Sequence, residues 1–141
     1  IYMQEVVENI IAFSLVFICS NAIHEFAHLL GCLMFQCRVV DLKVPFFVLY
    51  RDGKIRFTFT LKEHNHCSFA TTSKSKAFWI TLLGPIIDLV VVAIIAVVTI
   101  NWFFMWGVLL AGIVILFFWI YNLLPNINGD GALLYSLFKE K

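Results

Sequence analysis

Two histidines and a glutamate interrupt an apolar run near the start of the chain. The segment HEFAH, residues 24–28, lies inside the run 10–35. On a helix of about 3.6 residues per turn, His24 and His28 project from the same face, so both imidazoles can reach one metal ion. Glu25 projects about 100° further around the helix axis, where its carboxylate can approach a water molecule without binding the metal. This spacing predicts a metal-dependent hydrolytic site in which Glu25 is the general base.

A third protein ligand is needed, because two histidines do not complete a catalytic zinc site. The candidate is Asp130, which follows Pro125 and lies between Gly129 and Gly131. Proline breaks helices, so we expect a non-helical segment here, which a membrane tolerates only where it lines a polar cavity or is buried in protein. Two packed core histidines are the alternative interpretation of residues 24–28, but unpaired ionisable groups are costly in hydrocarbon.

The composition indicates a membrane protein. Of the 141 residues, 62% are apolar and 13% are charged, which excludes an ordinary soluble domain, and we expect no nucleic-acid partner. Three apolar runs, at about 10–35, 77–100 and 102–124, each exceed the roughly 20 residues that a helix needs to cross a bilayer. The predicted fold is therefore an α-helical polytopic membrane protein, a single domain over residues 1–141 with three transmembrane helices.

The connection between the first two runs predicts a β-hairpin at about 39–62. Apolar and polar residues alternate from residue 54 to 62, an apolar run covers 44–50, and Asp52-Gly53 between them is a strong turn signal. The hairpin either caps the helices or pairs through its exposed edge with an extended substrate peptide, to which Phe57 and Phe59 would bind. The following His64 and His66 are interpreted as part of a solvated loop rather than as a second metal site.

The distribution of charge predicts the orientation. Eight of the ten basic residues lie in the connection between the first two runs, namely Arg38, Lys43, Arg51, Lys54, Arg56, Lys62, Lys74 and Lys76. Basic loops remain in the cytoplasm, so we expect a multi-pass protein of a bacterial or archaeal plasma membrane with its N-terminus outside and its C-terminus in the cytoplasm. The four cysteines lack CxxC spacing, which favours free thiols in a reducing compartment.

The sequence resembles the site-2 protease family of intramembrane zinc metalloproteases. That family carries HExxH in one transmembrane helix and N-x-x-P-x-x-x-x-D-G in a later one, and the chain matches the second motif at Asn122, Pro125, Asp130 and Gly131. A Gly-Pro pair of the family's intervening helix corresponds to residues 84–85. The chain is similar to the family's bare three-helix core.

This resemblance implies one Zn²⁺ per chain, with His24, His28 and Asp130 as ligands and Glu25 as the general base. It also implies that Asn122 holds the substrate or the developing oxyanion. Asp88, the other acidic residue within the apolar runs, is expected to hydrogen-bond a backbone group freed by Pro85 rather than to take part in the chemistry.

The leading hypothesis is an intramembrane zinc metalloendopeptidase. It would hydrolyse peptide bonds of transmembrane or membrane-associated substrates near the cytoplasmic leaflet, as in regulated intramembrane proteolysis or peptide processing. Its partners would be that protein or peptide substrate, the lipid bilayer, and a regulatory membrane partner or a second copy in an oligomer. Two alternatives stay open: a non-catalytic zinc-containing membrane binding protein and a metal transporter.

Overall fold

The fold consists of four helices and one four-stranded sheet. In a computed structural model of the chain, residues 2–61, 64–101, 106–125 and 129–139 are described. The elements in chain order are α1 (Tyr2–Met34), β1 (Arg38–Val44), β2 (Phe47–Arg51), β3 (Lys54–Phe59), β4 (His66–Ala70), α2 (Lys74–Asn101), α3 (Trp106–Asn122) and α4 (Asp130–Lys139).

The three long helices α1, α2 and α3 pack against one another, and the short helix α4 packs on α2. Ile80 of α2 and Ala111 of α3 are fully buried between them. At the far end of the bundle, the Gly107 amide donates to Asn9 Oδ1 at 2.7 Å and joins α3 to α1. At the other end, the rings of Phe138 in α4 and Phe78 in α2 meet edge to face, with centroids 5.6 Å apart. The end of α4 therefore lies beside the first turns of α2.

The sheet is antiparallel throughout, with the strand order β3-β2-β1-β4. The predicted turn between β2 and β3 is present, and Asp52 and Gly53 adopt the positive φ angles, 53° and 77°, that a tight hairpin turn requires. Every residue of β3 is exposed. At the opposite edge, β4 pairs with β1 and contacts α1, so this edge lies close to the helix that carries residues 24–28.

The predicted architecture of three transmembrane helices with a hairpin is wrong. Within the described ranges, two helices are long and apolar enough to cross a membrane, Met3–Met34 and Lys74–Thr99. The third apolar run forms α3, which has 17 residues and falls short of the roughly 20 that a spanning helix needs. The start of that run, residues 102–105, lies outside the described residues, and α3 ends at Asn122, where the chain turns towards Pro125.

The hairpin prediction also misses half of the sheet. Besides β2 and β3, the connection contains β1 and β4, which pair with each other over Arg38–Lys43 and His66–Ala70. β4 reads HCSFA, a segment without clear alternation, and its strand conformation comes from hydrogen bonds to β1, more than 20 residues earlier. A periodicity argument does not detect such long-range pairing. Lys62, the last residue of the predicted hairpin, lies outside the described residues.

Candidate metal centre

Helix α1 brings three ionisable side chains to one buried place. It runs unbroken through residues 24–28, and the exposed fractions of His24, Glu25 and His28 are 9%, 7% and 5%. The Nε2 atoms of the two histidines lie 3.1 Å apart, as their spacing of four residues predicts. The same two atoms also converge on a carboxylate from the far end of the chain.

That carboxylate belongs to Asp130, the first residue of α4. Its Oδ2 atom lies 3.2 Å from His24 Nε2 and 3.5 Å from His28 Nε2. A tetrahedral zinc ion with bonds of about 2.0–2.1 Å holds its nitrogen and oxygen ligands about 3.3 Å apart. The three separations match that value, so the donor set fits zinc in both chemistry and spacing. Within the described residues, this is the one group of three or more His, Cys, Asp or Glu side chains with such proximity.

The other ring nitrogens of the histidines are held by helix α2. His28 Nδ1 lies 2.8 Å from the carbonyl oxygen of Ile80, and His24 Nδ1 lies 2.7 Å from Asp88 Oδ2. A carbonyl oxygen only accepts hydrogen bonds, so His28 carries a proton on Nδ1, and the Asp88 carboxylate favours the same tautomer at His24. Each Nε2 atom is therefore directed at Asp130, where it holds either a proton or a metal ion that replaces the proton.

A glycine of α2 leaves room beside these atoms. A Cβ atom at Gly84 would lie 2.5 Å from His28 Nε2 and 2.7 Å from His24 Nε2, closer than side-chain packing allows. The adjacent carbonyl of Pro85 accepts a hydrogen bond of 2.8 Å from Trp119 Nε1, which fixes α2 against α3. Because Gly84 has no side chain, α2 leaves the space beside the two Nε2 atoms that a metal ion would need.

The position of Asp130 depends on a close contact between α3 and α4. A Cβ atom at Gly131 would collide with the backbone of Leu123, so the first turn of α4 fits against the end of α3 only with glycine there. Burial by itself raises the pKa of the Asp130 carboxyl, but hydrogen bonds from His24 and His28 outweigh burial and lower that pKa to about 2. Asp130 is consequently a carboxylate at neutral pH, the form that binds metal.

Two cavities meet at this centre. One, of about 220 Å³, lies among α1, α2 and α3 and is lined by Phe17, Ser20, Asn21, His24, Glu25, His64, Asn65, Asp88, Ile115, Phe118 and Asn122. The other, of about 540 Å³, is lined by His24, Glu25, His28, His64, Asn65, His66, Cys67, Tyr121, Asn122, Gly129 and Asp130. His24, Glu25 and Asn122 line both cavities, which therefore meet at the candidate metal ligands.

No protein-family model matches this chain, and neither does any curated protein or solved structure. The function must therefore be inferred from the geometry of the site.

The structure gathers five of the residues singled out in the sequence: His24, Glu25, His28, Asn122 and Asp130. Two others lie elsewhere. Phe57 and Phe59 are exposed on β3, where both rings contact Phe47, and neither lines the cavities described above. Their part in substrate binding stays a prediction.

Two interpretations of neighbouring residues need correction. His64 is exposed and lies outside any strand, as interpreted, but His66 is the first residue of β4 rather than part of a loop, and both line the larger cavity. Asp88 bonds His24 rather than a backbone group freed by Pro85. The sequence does indicate which face of α2 these residues share. Ile80, Gly84 and Asp88 are spaced four residues apart and therefore lie on one side of the helix.

Proposed function

We propose that the chain is a membrane-embedded zinc metalloendopeptidase that hydrolyses peptide bonds of transmembrane or membrane-associated substrates near the cytoplasmic leaflet. The observation that carries this proposal is the convergence of His24, His28 and Asp130 next to the buried carboxyl of Glu25. The resemblance of the motifs to site-2 proteases supports the same function.

The proposed division of roles follows from where each side chain lies. His24, His28 and Asp130 would hold the zinc ion, which when bound supplies Lewis acidity at the scissile carbonyl and the attacking water. Glu25 lines both cavities without joining the ligand set, so it would take the proton of the attacking water and pass it to the leaving amine.

Two further residues would support this reaction without carrying it. The side-chain amide of Asn122 lines the same cavities and would donate a hydrogen bond to the substrate carbonyl oxygen. Asp88 would keep the His24 ring in the orientation that points Nε2 at the metal.

A substrate must present its backbone in an extended form, since a helical peptide bond hides its carbonyl in the hydrogen-bond ladder. The sheet has two edges that could hold such a segment, β3 and β4. Residues His66 and Cys67 of β4 line the larger cavity, so we propose that this edge holds the segment next to the scissile bond. Phe57 and Phe59 on β3 would then contact more distant parts of the substrate.

The proposed membrane location rests on the outer surface of the helices. Large apolar side chains of α1 are half or more exposed along its length, among them Val6, Ile10, Ile11, Leu15 and Leu30. Such a continuous apolar surface fits lipid rather than water. We propose that α1 and α2 cross the bilayer with the basic, sheet-bearing connection on the cytoplasmic side.

The decisive experiment compares wild type with Glu25→Gln, a substitution of nearly equal size, in liposomes that contain quenched fluorescent single-span peptides. We expect both proteins to bind one zinc per chain by elemental analysis, and cleavage to fall about 10²- to 10⁴-fold in the variant. Equal cleavage by the two proteins would remove Glu25 as the base. A wild type that binds zinc but cleaves no membrane peptide would support the non-catalytic alternative instead.

A further inference from the structure

The smaller of the two cavities extends from the candidate metal centre into the helix bundle. It has a volume of about 220 Å³ and meets the larger cavity at His24, Glu25 and Asn122. A cavity of about 150 Å³ is enough to hold a benzene molecule, so the smaller cavity has room for one side chain of a bound polypeptide. The proposed reaction itself gives this space no role.

The Ser20 side chain lines this cavity and is almost completely buried, with an exposed fraction of 3%. Ser20 precedes His24 by four residues and therefore lies on the same face of α1. A serine in a helix can satisfy its hydroxyl with the carbonyl four residues earlier, and the Ser14 hydroxyl donates in this way to the Ile10 oxygen at 2.8 Å. Within the described ranges, the Ser20 hydroxyl has no hydrogen-bond partner. A buried hydroxyl without a partner is costly, so this group points to a ligand in the cavity.

Asn21 adds a second polar group to the same wall of the cavity. Its Nδ2 atom donates to the carbonyl oxygen of Phe17 at 2.8 Å, which fixes the side-chain amide and leaves Oδ1 as an acceptor. No donor from the described part of the chain bonds Oδ1. Glu25 and Asp88 also line the cavity, and their carboxyl groups disfavour an anionic ligand. The cavity thus offers one hydroxyl and one acceptor oxygen to a neutral polar side chain.

We propose that the smaller cavity is a specificity pocket for a carboxamide side chain, asparagine or glutamine, at a substrate residue that flanks the scissile bond. The amide nitrogen of that side chain donates to Asn21 Oδ1, and its oxygen accepts from the Ser20 hydroxyl. Leucine is similar in size to asparagine but makes neither bond, so it leaves both polar groups unpaired in a buried space. This inference rests on the proposed peptidase function, because the metal centre defines which bond is cut.

The first test compares single-span peptides in liposomes. The bond that the wild type cuts is located by mass spectrometry, and each flanking residue is then replaced in turn with asparagine, leucine, lysine or aspartate. At one flanking position we expect kcat/KM to be about 10²-fold higher for asparagine than for leucine. Equal values for asparagine and leucine at every position, or a preference for lysine or aspartate, would overturn the proposal.

The second test changes the pocket. In Asn21→Leu and in Ser20→Ala, we expect the ratio of the asparagine rate to the leucine rate to fall to within a few-fold of one, with bound zinc unchanged by elemental analysis. Ser14→Ala is the matched control, because Ser14 lies on the exposed surface of the same helix and should retain the full ratio. A ratio that persists in both pocket variants would show that the preference arises elsewhere.

Binding distinguishes a failure of the pocket from a failure of the proposed function. Cleavage of the asparagine and leucine peptides at equal rates would retain the peptidase and remove the pocket. If the wild type cleaves no peptide, the affinities of the zinc-loaded protein are compared for single-span peptides in which one asparagine or one leucine is moved along the sequence. Tighter binding of an asparagine peptide that is lost in Asn21→Leu would support the pocket without peptidase activity, whereas equal affinities would refute it.

Discussion

His24 Nδ1 and Asp88 Oδ2 lie 2.7 Å apart and join helix α1 to helix α2 across 64 residues of sequence. Both groups are buried, with exposed fractions of 9% and 7%. A buried carboxylate that accepts from the outer nitrogen of a ligand histidine fixes the direction of the inner nitrogen and increases its basicity. Helix α2 therefore contributes to the candidate metal centre without supplying one of its three candidate ligands.

Replacing Asp88 with alanine should weaken zinc binding about 10- to 100-fold, because the His24 ring loses the partner that orients it. The measurement is a competition titration against a chelator of known affinity. Asp88→Asn keeps an acceptor oxygen at the same place, so its zinc affinity should decrease less than that of the alanine variant. Equal affinity of wild type and Asp88→Ala would show that His24 is oriented without this hydrogen bond.

A single methyl group at position 84 should remove the metal site. In Gly84→Ala the new Cβ would occupy space 2.5 Å from His28 Nε2, so we expect purified protein with almost no bound zinc by elemental analysis. Gly112→Ala is the matched control, because its Cβ would contact Ile95 Cγ2 at 3.0 Å, on the α2–α3 interface and away from the ligands. Normal zinc content in Gly84→Ala would place the metal somewhere other than between the two histidines.

Zinc affinity should decrease as the pH is lowered from about 8 to about 5, because zinc must displace protons from His24 and His28. Asp130 contributes little to this slope: hydrogen bonds from the histidines overcome the effect of burial and hold its pKa at about 2, so it stays ionised over the whole range. The affinities are measured by competition titration, after correction for protonation of the chelator. An affinity independent of pH would argue against histidine ligands.

Motif spacing predicted that the side chains of His24 and His28 meet, because helical geometry is local. Residues 24–28 need only an unbroken turn of α1 to bring His24 and His28 together. Asp130 was placed by the resemblance and by the expected depth of its segment, although it begins a helix rather than lying in an irregular stretch. The sequence could not show that Asp88 pairs with His24, because that depends on how α2 is rotated against α1.

The fold was harder to predict where structure depends on distant partners. β4 becomes a strand because β1 offers it hydrogen bonds, a relationship that no local pattern in HCSFA encodes. By composition alone, the third apolar run is long enough to cross a bilayer. Within the described residues, however, α3 extends only from Trp106 to Asn122. Composition measures how apolar a run is, whereas the limits of a helix are set by where the chain turns.

The close approach of Gly131 to the backbone of Leu123 holds the first turn of α4 against the end of α3. Asp130 precedes that glycine and lies against the histidines of α1, so its position depends on the end of α3 as well as on the helix that carries His24 and His28. A displacement of Leu123 would therefore act on the first turn of α4, which carries Asp130. The geometry of the candidate metal centre is thus sensitive to a residue that contacts none of its three candidate ligands.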